Sequence, residues 1–209
     1  MRCLAVALAL VALLGSPAGA QFGNPAGMAP GTRENAPGTP KPHQTNNQDR
    51  LFARLLAAGG RAEVELGKLA GKQGDSRAVK DFAERMVQEH TKANDKLTSL
   101  AKAADIPLPM DLDQEHKITR SQLVQLSGPP FDVSYMQTQI QDHQKTAQLL
   151  QWQINSGQDA EILALASELL PIVLSHLSAA QEIMAALTGQ TLREIAPRTA
   201  EPARPADQR

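Results

Sequence analysis

Two stretches of this chain carry the same chemistry in the same order. Val87-Gln88-Glu89-His90-Thr91-Lys92 recurs as Ile140-Gln141-Asp142-His143-Gln144-Lys145, and the register extends to Phe82 with Tyr135 and Leu97 with Leu150. Each copy sets a carboxylate beside an imidazole. In a helical interior such a pair can ligate a transition metal, form a hydrogen-bonded polar layer, or titrate near neutral pH. His116 and His176 add to the set, so that four of the five histidines lie in the middle of the chain, away from His43.

Helices position these residues. Apolar spacing and breakers predict helix one over about Asp49 to Lys72, ending before Gly74-Asp75-Ser76, and helix two from about Ser76 to Ala104, stopped by Ile106-Pro107-Leu108-Pro109. A shorter third helix covers about Asp111 to Leu126. The fourth runs from about Pro130 to Asn155, and the fifth from Asp159 to Leu187, closed by Gly189. Seams stepping by four and three run through Leu51, Leu55, Ala58, Ala62, Glu65 and Leu69 on helix one, and through Ile140, His143, Ala147 and Leu150 on helix four. On helix five the seam is Ile162, Ala166, Leu169, Val173, His176 and Ala180. No alternating β pattern of useful length occurs, and the expected class is all-α. Two tight turns and one long connection through the short helix give a ferritin-like four-helix bundle with an extra crossover helix. Pro171 should remove one hydrogen bond inside helix five. Asp75-Ser76 and Asp159 read as helix N-caps.

The candidate metal ligands are Glu89, His90, Asp142, His143 and His176, with Glu65 in the corresponding stripe of helix one; the cofactor they would hold is a transition metal of unspecified identity. Height along the axis argues against a shared ion. Counted from the turns, Glu65 lies about 12 Å from His90, and His143 and His176 differ by roughly 7 Å. The Glu-x-x-His pattern of di-metal carboxylate bundles is also absent, since Val87, Ile140 and Val173 precede the histidines by three. The favoured expectation is therefore structural: Glu89–His90 and Asp142–His143 as polar layers fixing the register of the bundle. Met86, Met136 and Met184 read as packing. The chain has no Gly-x-Ser-x-Gly elbow, phosphate-cradling glycine loop or His-Glu-x-x-His, and its single cysteine, Cys3, lies at the extreme N-terminus. These absences point away from an enzyme.

The ends and the composition suggest where the protein works. Arg2, the apolar run from Leu4 to Leu14 and Ala18-Gly19-Ala20 make residues 1–20 an export signal cut before Gln21. Residues 21–48 are rich in Gly, Pro, Asn and Thr and are expected to be disordered, as is the tail over 191–209; the bundle domain is expected over 49–190. With 21 basic against 22 acidic residues and 3% aromatics there is no electrostatic footprint or stacking platform for nucleic acid. No run after Gln21 reads as a membrane span, so the expected product is periplasmic or secreted, with an envelope partner, a second copy of itself or an unidentified ligand to bind.

Several short motifs carry a family resemblance. Ala57-Ala58-Gly59-Gly60, Glu63 to Ala70, Val79-Lys80-Asp81-Phe82-Ala83, Glu89-His90-Thr91-Lys92-Ala93-Asn94, Phe131-Asp132, Tyr135-Met136, Asp142-His143 and Leu170-Pro171 occur in order over about Leu51 to Leu187. The chain resembles the bacterial "domain of unknown function" family numbered four-one-four-two, often labelled an outer membrane protein. The resemblance implies a ferritin-like bundle in exported bacterial proteins and no established activity. The expected function is that of an envelope protein acting as a non-enzymatic binding or stress module; the alternative is a ferritin-like metal protein with oxidase or storage chemistry.

Overall fold

The computed structural model describes residues 40–195. Its helices are α1 (Asn47–Gln73), α2 (Arg77–Ala103), α3 (Gln114–Val124), α4 (Gly128–Ser156) and α5 (Ala160–Ile195). The architecture is all-α, with no strands among the described residues; the one β-bridge joins Lys41 to Asp159. The four long helices form a bundle in which α1 packs on α2 and α4, and α5 packs on α4 and α2. The diagonal pairs are thus α1 with α5 and α2 with α4. Short α3 lies against α1 and α4 as the crossover between hairpins.

Two buried aspartates fasten the hairpins to each other. Asp132 of α4 accepts the Asp75 and Ser76 backbone N–H groups at 3.0 and 2.7 Å, at the α1–α2 turn. Asp49 of α1 does the same at the α4–α5 turn, accepting from Gln158 and Asp159 N–H at 3.1 Å each and from the Gln153 amide. Both turns begin with a glycine, Gly74 or Gly157, whose N–H closes on Ala70 or Gln153. These paired positions stand at one constant offset, so α1–α2 and α4–α5 are equivalent halves related by a pseudo-two-fold. The Glu-His and Asp-His sequence repeat links α2 to α4 instead and cuts across that symmetry.

The core divides into two apolar clusters. One holds Phe52, Leu97, Leu150, Ile162, Leu165 and Leu169. The other holds Leu66, Val79, Phe82, Met86, Phe131, Tyr135 and Met136. Along α4, Met136 belongs to the second and Ala147 to the first, with buried Gln139 and His143 between them. Met86 and Met136 are packing residues, fully buried.

Several sequence expectations need correction. The α1 seam holds at Ala58 and Ala62, which are buried, but is otherwise rotated: Phe52, Ala53, Glu63, Leu66 and Ala70 are buried, whereas Leu55 and Glu65 are exposed. Phe52, the largest apolar side chain in α1, marks the true inward stripe. Ser76 makes no side-chain cap bond, its role having passed to Asp132; Asp159 caps α5 as expected, accepting from Glu161 and Ile162 N–H at 3.0 Å. Gly189 does not end α5, which continues to Ile195 through both Pro171 and Gly189. The last part of the 21–48 segment is structured, because Asn46 and Asp49 form a capping box at 2.8 and 2.9 Å. The rest of that segment, the signal and residues 196–209 lie outside the described residues. Among the described residues one helix, Ala160–Gly189, is long and apolar enough to cross a membrane, contrary to expectation; its Ile162, Leu165, Ala166, Leu169 and Val173 are buried in the bundle core.

Candidate metal centre

Between the two apolar clusters, three helices each place an imidazole at one point. His90 comes from α2, His143 from α4 and His176 from α5, and one ring nitrogen from each lies within 4.8 Å of the others. His143 Nε2 and His176 Nδ1 are 3.3 Å apart. His143 and His176 are both buried, and the Nε2 of half-buried His90 is itself buried without a hydrogen-bond partner.

The remaining ring nitrogens fix the tautomers. His143 Nδ1 lies 2.9 Å from the Gln139 carbonyl oxygen, which can only accept, so Nδ1 carries the proton. His176 Nε2 lies 2.6 Å from the Glu89 carboxylate, and the same reasoning puts its proton there. Arg85 donates to the other Glu89 oxygen at 2.9 Å. Burial opposes ionisation of Glu89, but the Arg85 guanidinium and His176 outweigh it and hold this carboxyl below its ordinary range. The two nitrogens that face each other, His143 Nε2 and His176 Nδ1, therefore both present lone pairs. Opposed lone pairs at this distance repel unless a cation lies between them. Two nitrogens on a tetrahedral zinc, each ~2.0–2.1 Å from the metal, would be separated by about 3.4 Å.

Burial keeps the imidazoles neutral. Burial, reinforced by the neighbouring rings, pushes His90 down to about 3. Burial likewise lowers His176 to about 4, against a partial offset from Glu89. His143 is lowered by burial, with the Gln139 carbonyl working the other way. A proton is thus a poor occupant at neutral pH, whereas a metal ion requires neutral imidazole.

Behind His143 stands Glu63 of α1, the residue that the misplaced seam passed over. Gln139 donates to its Oε2 at 2.8 Å, and burial, with the charge of Asp142 adding to it, pushes its carboxyl up to about 8. Its 3.6 Å approach to His143 Nδ1 is not an ion pair, because burial disfavours charge on both partners. The Tyr135 hydroxyl is buried without a partner, and burial, then Glu63, raises its pKa.

Other candidates lie elsewhere. Asp142 turns away from the cluster toward His116 Nε2, at 3.7 Å, and Lys145. His116 also meets Asp113 at 2.8 Å, and although burial works against its charge, the two aspartates raise it to about 9. That group anchors the crossover helix. Glu65 pairs with Arg120 at 3.4 Å on the exposed side of α1.

The 7 Å height difference between His143 and His176 closes for two reasons. Residues 157–159 span the turn outside both helices, which shifts the point from which height is counted. In addition, Cα–Cβ bonds tilt toward each helix's own N-terminus. His143, nearer the turn, leans away from it, and His176, farther from the turn, leans back toward it. The rings meet in the middle.

A cavity of about 670 Å³ reaches this centre between α1, α2 and α5, with Thr146 of α4 also on its wall, and its buried or half-buried border includes Glu63, Glu89, His90 and His176.

Among curated proteins nothing matches the chain. The fold is similar to that of a solved DUF305 fragment from Deinococcus radiodurans, with a TM-score of 0.62, 11% identity, and coverage of 68% of this chain and 98% of that one. Identity that low speaks for the fold alone. Residues 34–183 match the family described as domain of unknown function (DUF4142), and the chain belongs to that family.

Proposed function

We propose that this protein binds one divalent transition-metal ion through His90, His143 and His176, as a binding module rather than an enzyme, in the bacterial envelope. The observation that carries the reading is the pair of unprotonated nitrogens facing each other at 3.3 Å while their ring partners donate outward to Gln139 and Glu89. Ligating histidines characteristically donate their second N–H to a carbonyl or carboxylate in this way. A polar layer built only for register would place a hydrogen between those two atoms. The ligand set of three imidazoles favours zinc, copper, nickel or iron over magnesium or calcium. A bound ion would supply a fixed positive charge and a coordination position beyond the three nitrogens.

Hairpin, crossover and hairpin is the ferritin-like order of connections, and the metal reading fits that scaffold with a different ligand set: three histidines in place of paired Glu-x-x-His. Placement in the envelope rests on Arg2, Leu4 to Leu14 and Ala18-Gly19-Ala20. The test is metal analysis after zinc, copper, nickel or cobalt loading and dialysis of the purified full chain. We expect about one ion per chain, lost in His143→Ala and His176→Ala. Retention in a folded His90→Ala/His143→Ala/His176→Ala variant, or no retention by the wild type, sinks the proposal.

A further inference from the structure

We infer that the cavity beside the three histidines binds a small organic molecule with an anionic head and an apolar body, the head completing the metal's coordination; this rests on the metal-binding reading. The cavity has both polar and apolar borders, with Asn94, Thr146 and Ser175 also on its lining. Its buried or half-buried border includes His90, His176, Glu63 and Glu89, and its walls include Leu55, Leu56, Leu169 and Ile172. His90 and His176 border it and His143 does not, so the cavity reaches the cluster from the α2 and α5 side. On α1 there is open space at Gly59, where a Cβ meets nothing within 4 Å, whereas neighbouring Gly60 is covered by the Asn94 side chain.

The volume suits a small molecule. At about 670 Å³ it lies within the usual range for ligand pockets, ~300–1,000 Å³. The mouth selects the sign of the head group. Lys92 and Lys96 border the cavity, and Lys96 is neutralised by Glu168 across the α2–α5 seam. Lys92 has no ion-pair partner among the described residues, leaving one cation at the entrance. Each acid that borders the cavity has a partner: Glu168 has Lys96, Glu89 has Arg85 and His176, and Glu63 accepts from Gln139. A carboxylate with an aliphatic chain of several carbons matches these borders: a cation at the entrance, hydrocarbon walls and metal-binding nitrogens.

The experiment uses the full chain loaded with cobalt(II), whose visible spectrum reports a change of ligand. Acetate, butyrate, hexanoate and octanoate are titrated in turn. We expect each to perturb the cobalt bands, with affinity rising about fourfold for each methylene buried. Gly59→Trp, and Gly59→Leu as a smaller filler, should retain cobalt and lose the chain-length gain, because their side chains occupy the cavity. Cobalt bound with no dependence on chain length overturns this inference and leaves the metal reading standing. An undiminished gain in a folded Gly59→Trp places the carboxylate elsewhere and overturns it as well. A wild-type chain that binds no cobalt overturns both.

Discussion

His176 donates its Nε2 proton to Glu89 at 2.6 Å across the α5–α2 seam, and this one bond turns the Nδ1 lone pair toward His143, 3.3 Å away. A residue from the sequence repeat thus acts through a histidine outside the repeat. The second acid, Asp142, does unrelated work on the crossover helix.

Replacing that carboxylate tests the arrangement. Glu89→Gln keeps the size of the side chain but can offer its NH2 to His176 and so favour the wrong tautomer. Loss of such an outer partner typically costs ~10–100-fold in metal affinity. Competition with a chromophoric chelator should show that weakening with stoichiometry preserved; unchanged affinity would remove Glu89 from the site.

His90→Leu separates a binding site from a structural layer. The buried Nε2 of His90 lacks a partner, and an unsatisfied buried polar atom costs about 1–3 kcal/mol. The metal-free variant should therefore unfold at the same or higher denaturant concentration than the metal-free wild type, yet bind metal far less well. A large loss of stability without metal would favour the register-layer account.

The pH dependence of stability has two arms. His90 and His176 titrate near 3 and 4 when folded and near 6.5 when unfolded, so the unfolded chain takes up the protons first. Their contribution is complete above 6.5 and is lost as pH falls toward those folded values. Glu63, raised to about 8, works in the opposite sense: its contribution is complete below 4.5 and is lost as pH rises through 8. His116, raised to about 9, contributes fully below 6.5 and loses that contribution as pH rises through 9. Melting temperatures of the metal-free protein should thus fall on both sides of a maximum. Glu63→Gln and His116→Gln should each flatten the alkaline arm and leave the acid arm in place.

Asp49 and Asp132 occupy equivalent places in the two halves, so their removal should cost similar amounts. Asp132→Ala strips two backbone N–H groups of their acceptor and should destabilise by about 1–3 kcal/mol. Asp49→Ala should cost at least as much, since the Gln153 amide and the Asn46 N–H lose their acceptor too. Urea unfolding checks both, and a cost below 0.5 kcal/mol for either, well under the ~1 kcal/mol typical of a lost cap, would deny these residues their role in joining the hairpins.

Much of this protein was legible in its residues alone. Periodicity and breakers determined five helices, the short crossover, the inward faces of α4 and α5, and the nomination of His90, His143 and His176. The reason is local: a helix's buried stripe repeats every three or four residues, and Gly and Pro interrupt it close to where it ends. Four things were decided only by packing. The α1 stripe is rotated because Ala- and Gly-rich sequence leaves several faces nearly equivalent until neighbouring helices choose one, which is how Glu63 escaped notice. Asp49 and Asp132 cap turns in the opposite hairpin, a relationship between distant segments that no local pattern encodes. Asp142 left the cluster because the crossover helix offered it His116. The three imidazoles met because antiparallel helices tilt their side chains toward one another, erasing a height difference that counting residues along the axis cannot correct.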